Sequence, residues 1–184
     1  GSSQTITGDI GNTKSLQNFN ITNGTTKLTG NLNAVNTNIS NGTTLNSLGN
    51  ITSNINGTTA NSGTLSMSGT NQTITGNIGN TNSLQNFNVT NGTTTLNGNL
   101  NATNTNISNG TILNSLGNIT SNINGKTANS GTLNMNGTTQ TITGNIGDTN
   151  SLENFNVTNG TTTLNGNLNA TNTNISNGAT LNSQ

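Results

Sequence analysis

The chain contains no Cys, Pro, His, Trp, Tyr or Arg in 184 residues. Without Cys a disulfide is neither possible nor needed, and the redox compartment is unconstrained. Without His or Cys the usual zinc ligands are missing. The two Asp of the whole chain, Asp9 and Asp148, cannot supply the acid that calcium-binding solenoids repeat in every nonapeptide. No cofactor or metal is expected. Ser and Thr hydroxyls are abundant, but no base is present to activate them. General acid–base work by paired carboxylates would fall to Asp148 and Glu153, the only close acids, and these read as solvated surface charges. The composition therefore argues against an enzyme.

Charge is equally sparse. Lys14, Lys27 and Lys126 balance Asp9, Asp148 and Glu153, giving a formal net charge of zero. Three scattered lysines make no basic footprint for phosphates, so no nucleic-acid partner is expected. There is no basic amphipathic face for a membrane surface and no apolar run long enough for a membrane-spanning helix. Direct membrane insertion of this segment is thus not expected. With Gly1 first, and neither Met nor a signal-like stretch, the chain is expected to be a mature or excised piece.

What is present is mostly 46 Asn, 40 Thr and 24 Gly, with only 24% hydrophobic residues. Low hydrophobicity alone would suggest disorder. Disordered chains usually carry net charge and proline, however, whereas neutral, proline-free Asn/Thr sequences favour stacked strands with side-chain ladders.

Repetition decides between the two. The segment QTITG starts at Gln4, Gln72 and Gln140, a period of 68 residues. Repeats 4–71 and 72–139 differ at 11 positions, and the truncated repeat 140–184 differs from its predecessor at five. Such self-similarity marks an array. Within a repeat, Ile74-x-x-x-Ile78, Leu96-x-x-x-Leu100 and Ile119-x-x-x-Ile123 share one spacing, resumed at Ile142-x-x-x-Ile146. The steps are 22, 23 and 23 residues. Upstream, Phe87-x-Val89 and Leu133-x-Met135 alternate as strand residues do, with Leu113 and Leu116 in that role in the third coil. Asn, Thr and Gly disfavour helix interiors. Asn-Gly dipeptides at Asn91, Asn97, Asn109, Asn124 and Asn136 read as corners. The expected fold is all-β: a right-handed parallel β-helix of about eight coils of 22–23 residues, three coils per repeat. Residues 1–184 form one solenoid, a rod on the order of 40 Å long at ~4.8 Å per coil.

Differences between repeats indicate which positions face water. They fall at Asp9/Asn77, Lys14/Asn82, Lys27/Thr95, Val35/Thr103, Thr58/Lys126 and Gln85/Glu153, and a lysine is rarely buried unpaired. Apolar positions change little: Ile21 becomes Val89 and Val157, and Thr44 becomes Ile112. With so few apolar side chains, inter-coil hydrogen bonds and Asn and Thr ladders must contribute much of the stability, which should rise with coil number.

The stretch 73–84, TITGNIGNTNSL, continues through Val89 to GTTTLNG at 92–98, and copies lie at 5–16 and 141–152, the last with Asp148. It resembles the repeat hallmark of rickettsial surface cell antigens, autotransporters of the outer membrane protein A type. The match covers about a third of each repeat, and the part from Asn99 to Met135 departs from it. The resemblance implies a passenger exported through the outer membrane by a C-terminal β-barrel, displayed on the bacterial cell surface and used in adhesion to host cells.

Three roles are open for the outward faces: neutral walls of a spacer rod, weak repeated binding of a host-cell surface protein or glycan with avidity, or ice binding through the TIT motifs at 5–7, 73–75 and 141–143. Lys27 and the intervening coils interrupt the last. Phe19, Phe87 and Phe155 are expected to fill the core. The Asn-x-Ser/Thr sequons, Asn20 and Asn88 among them, are no more than a quarter-Asn chain produces by chance. A self-assembling extracellular filament, stacked end to end through open solenoid ends, is the alternative class.

Overall fold

The computed structural model describes residues 1–184. Alternating apolar and small polar residues broken by Gly-Asn and Asn-Gly corners yield nineteen short strands and no helix. The first repeat forms β1 (Ser3–Ile6), β2 (Leu16–Ile21), β3 (Thr25–Leu28), β4 (Leu32–Ile39), β5 (Thr44–Ser47), β6 (Ile51–Gly57) and β7 (Thr64–Met67). The second forms β8 (Asn71–Thr75), β9 (Leu84–Val89), β10 (Thr93–Leu96), β11 (Leu100–Ile107), β12 (Ile112–Ser115), β13 (Ile119–Gly125) and β14 (Thr132–Met135). The third contributes β15 (Thr139–Thr143), β16 (Leu152–Val157), β17 (Thr161–Asn165), β18 (Ala170–Ile175) and β19 (Thr180–Ser183). Every pairing is parallel, in connected series of ten and nine strands, so the chain is a parallel β-solenoid of nine to ten turns.

The register resolves three columns of stacked residues, one per face. The first runs Gln4, Thr26, Leu45, Leu65, Phe87, Thr105, Ile123, Ile146, Leu168. The second runs Ile10, Leu32, Ile51, Ile74, Leu96, Ser115, Met135, Val157, Ile175. The third runs Phe19, Thr37, Ile55, Ile78, Leu100, Ile119, Ile142, Leu164, Ser183. The chain visits the faces in this order, and β4, β6, β11 and β13 each cross a corner. In β4 and β11 the register shifts by one residue at that corner, after Asn33 and Asn101.

Turn length is where the structure departs from expectation. One step from Phe87 to Thr105 takes 18 residues, and one from Ile123 to Ile146 takes 23. The mean turn is therefore shorter than 22–23 residues, and the count exceeds eight. Ile74 stacks under Leu96, as the spacing implied, but Ile119 stacks on Leu100 in the neighbouring column. The I-x-x-x-I motif occupies two adjacent faces, and it slides by one face between its second and third occurrences. A 68-residue repeat consequently makes ten face-to-face steps, from Ile74 in the second column to Ile142 in the third. That is three and one-third turns, not three. Each repeat is rotated by one face relative to the last.

The interior is a single cluster of 30 buried residues. Phe87 and Phe155 are fully buried and Phe19 half-buried. Each phenylalanine is followed along its column by a smaller threonine: Phe87 by Thr105, Phe19 by Thr37 and Phe155 by Thr173. Ile21, Val89 and Val157 point inward, but Thr44 and Ile112 are half-buried on outward positions of their strands. Leu116 is 45% exposed, and Ser115, one residue earlier, takes the inward place. All six charged side chains are exposed.

One use of asparagine is to bridge coils at the corners. Asp9 Oδ1 accepts from Asn31 N at 2.7 Å, Asn31 Oδ1 from Asn50 N at 2.8 Å, and Asn50 Oδ1 from Thr73 N at 2.8 Å. The next corner carries Asn54, Asn77, Asn99 and Asn118 in the same relation, at 2.8–3.1 Å. The third carries Asn122 and Asn145. A glycine precedes most of these residues for steric reasons. A Cβ on Gly98 would lie 2.2 Å from Gly76 O in the preceding coil. Positive φ accounts for Gly92 and Gly110 among the expected Asn-Gly corners, but not for Gly98, Gly125 or Gly137.

Candidate functional site

The outward residues of each face form two parallel rows. On the second face one row runs Asn71, Thr93, Ile112, Thr132, Asn154, Asn172, and the other Thr73, Thr95, Asn114, Asn134, Asn156, Asn174. The asparagine part is a self-bonded amide ladder: Asn134 Nδ2 donates to Asn114 Oδ1 at 2.7 Å, Asn156 to Asn134 at 2.7 Å, and Asn174 to Asn156 at 2.8 Å. Amides bonded along the ladder have less capacity left for a ligand, whereas Thr73, Thr93 and Thr95 present half-buried hydroxyls.

The rotation between repeats disperses these patches. Thr5–Thr7 lies in and just after β1, Thr73–Thr75 in β8 and Thr141–Thr143 in β15, on the first, second and third faces. No single threonine plane runs along the rod.

A shallow groove of about 330 Å³ recurs with the repeat, lined by Asn61, Ala102, Thr103, Thr120, Ser121 and Thr143 among others. Its counterpart one repeat earlier, of about 250 Å³, contains Ala34, Val35, Thr52, Ser53 and Thr75. The wall that distinguishes them is a loop after β6. Asn61 holds a left-handed backbone, φ 57°, and its Oδ1 accepts from Ser83 Oγ at 2.7 Å and from Thr103 Oγ1 at 3.0 Å. Asn129 repeats this with Ser151 and Thr171. The groove has hydroxyls, amides and small side chains but no aromatic or charge among its lining residues. Its chemistry suits hydrogen bonding to neutral polar groups.

Asp148 and Glu153 lie exposed before and within β16, and no three His, Cys, Asp or Glu side chains gather anywhere. The sequence reading missed the interior polar groups. Gln72 is 3% exposed, with Nε2 donating to Ser47 O at 3.0 Å and Gly49 O at 2.8 Å and Oε1 accepting from Gly69 N at 2.7 Å. Gln140 repeats this set with Ser115, Gly117 and Gly137. The available signal was parity: Gln72 shares its strand face with Ile74. The fully buried hydroxyls of Thr94 and Thr162 have no partner. Compared with family models, with curated proteins and with solved structures, the chain finds no match.

Proposed function

We propose that the chain is a structural repeat segment of a bacterial cell-surface passenger of the autotransporter type, a rod that extends and presents. The observation that carries this reading is a neutral, regularly stacked solenoid whose repeat places the same polar surface on each face in turn. Such a rod looks alike from all sides, which suits projection and repeated weak contact more than one specific pocket. The sequence resemblance given above supplies the cell-surface location and the partner class, a host-cell protein or glycan. The winding is right-handed, the hand that parallel crossover connections take almost without exception. The rod is non-enzymatic on this reading, since no base accompanies its hydroxyls.

Adhesion and spacing separate in one experiment. Binding of the purified segment to host-cell surfaces is compared with that of an equally long unrelated β-helix. Binding above the comparison rod supports adhesion by the repeats; equality leaves spacing as their role.

End-to-end assembly is a second reading that rests on a different observation. Leu16 is 38% exposed where Leu84 and Leu152 are fully buried, and Ile175 is 50% exposed where Ile39 and Ile107 are fully buried. Further coils of the same polypeptide would cover these residues equally well. Electron microscopy at rising concentration distinguishes filaments from monomers.

A further inference from the structure

The chain contains eleven Asn-Gly dipeptides, and the fold treats them unequally. Gly57 N donates to Asn82 O and Gly125 N to Asn150 O, both at 3.0 Å, inside strands β6 and β13. Gly137 N donates to the buried Gln140 Oε1 at 2.7 Å. At Gly24, Gly92, Gly98, Gly160 and Gly166 the backbone is pressed onto the preceding coil, where an added Cβ would meet a carbonyl oxygen at 2.2, 1.9, 2.2, 2.0 and 2.3 Å. Asn91 and Asn159 are also tied through Nδ2 to Ser68 O and Asn136 O at 3.3 Å.

Three dipeptides escape every restraint. Gly42, Gly110 and Gly178 have φ of 70°, 68° and 80°, and an added Cβ meets nothing within 4 Å. Asn41, Asn109 and Asn177 before them are exposed. Each sits in a tight turn pinned at its ends, where Ser40 O accepts from Thr43 N at 3.1 Å, Ser108 O from Thr111 N at 3.2 Å and Ser176 O from Ala179 N at 2.9 Å. Within the turn, neither the Asn amide nor the next glycine nitrogen carries any of the chain's hydrogen bonds.

We infer that Asn41, Asn109 and Asn177 are sites of spontaneous amide-to-acid conversion, one in each repeat. The glycine nitrogen, losing its proton to solvent base, forms a bond to the Asn Cγ. The Cγ–Nδ2 bond breaks and ammonia leaves with a solvent proton, closing a five-membered succinimide. Water then opens one of the two imide C–N bonds, giving aspartate or its isomer linked through the side-chain carboxyl. The net change is amide plus water to carboxylate plus ammonium, with no oxidation or reduction. Each event adds one negative charge to a rod of zero formal charge. The turns stand outside the three stacked columns, so the solenoid survives while its surface turns acidic, on a different corner in each repeat.

The test is peptide mapping by mass spectrometry, with isoaspartate detection, of the intact chain held at mildly alkaline pH. Asn41, Asn109 and Asn177 are expected to convert at least about tenfold faster than Asn56 and Asn124, whose glycine N–H bonds must open first. In denaturant the difference should vanish, because the dipeptide is the same. The Asn109→Gln variant should lose conversion at that site alone, since a six-membered ring closes far more slowly. Equal rates in the folded chain, no conversion at the three turns, or a spread of rates that persists in denaturant would overturn the inference.

Discussion

Asn61 and Thr103 are 42 residues apart, yet Thr103 Oγ1 donates to Asn61 Oδ1 at 3.0 Å. The contact reaches across two coils, because Ser83, between them, shares the same acceptor. A clasp of this kind ties one repeat to the next independently of the strand ladder. Asn61→Gly retains the left-handed backbone and deletes both side-chain bonds, so a loss of about 1–2 kcal/mol is expected. Thr103→Val copies Val35 of the first repeat and should cost about 1 kcal/mol or less. In urea melts the double variant should cost less than the sum, since one bond is counted in both. Full additivity would show the clasp to be energetically silent.

The glycine columns make a sharper demand. At Gly98 the preceding coil's carbonyl occupies the space of a Cβ, whereas at Gly110 there is room but a positive φ. Gly98→Ala must push two coils apart and is expected to lose about 3 kcal/mol or more, judged against overpacking in ordinary cores. Gly110→Ala suffers only the backbone penalty, about 1–2 kcal/mol. Thermal or urea unfolding that ranked the two the other way would contradict the close stacking of the Gly-Asn corners.

Thr94 and Thr162 are fully buried with unpartnered hydroxyls. An apolar group of the same shape removes the desolvation cost without opening a cavity. Thr94→Val and Thr162→Val should each stabilise the chain by about 1 kcal/mol. A destabilised variant would mean that the hydroxyl has a partner in solution, such as an enclosed water.

At the corners, Asn99 both donates and accepts: its N–H goes to Asn77 Oδ1, and its Oδ1 receives Asn118 N, each at 2.8 Å. Asn99→Ala strands the Asn118 N–H and should cost about 1–2 kcal/mol. Asn99→Asp keeps an acceptor, as Asp9 does for Asn31 at 2.7 Å, and should be nearly neutral. Chemical denaturation of the two variants checks the ladder directly. Equal losses would assign the effect to the loss of Asn itself and not to the acceptor.

How much of this was readable beforehand depended on side-chain size. Phe87-x-Val89 and Leu133-x-Met135 declared themselves as strands because large apolar residues alternate with Asn. The third such strand ends in Ser115, which sits fully buried under Met135, while the conspicuous Leu116 turns to solvent. A serine carries no apolar signal, so the eye moves one residue on and the inward phase is lost. Gln72 and Gln140 gave no signal for the same reason: a glutamine carries no apolar mark, although each makes three hydrogen bonds inside the tube. The groove and its Asn61 wall were not legible at all, because they depend on residues 42 positions apart. The exactness of the 68-residue repeat concealed the turn length, since the repeat is not a whole number of turns.

That mismatch fixes how any repeat-borne surface is displayed. Gln17, Gln85 and Glu153 are repeat-equivalent and exposed, and lie in β2, β9 and β16 on the third, first and second faces. If repeats were stacked in phase, three coils would separate Gln85 from Glu153, about 14 Å along one face. With three and one-third coils the axial rise is about 16 Å, and a third of a turn carries the second label around the tube. Spin labels on Gln85→Cys and Glu153→Cys should therefore report a distance above roughly 20 Å, from the coil spacing and the added width of the rod. The Gln17→Cys and Gln85→Cys pair should match it, since the same screw relates them. A distance near the in-phase value would restore a single display face and remove the basis for radial presentation, on which the proposed role as an all-round projecting rod depends.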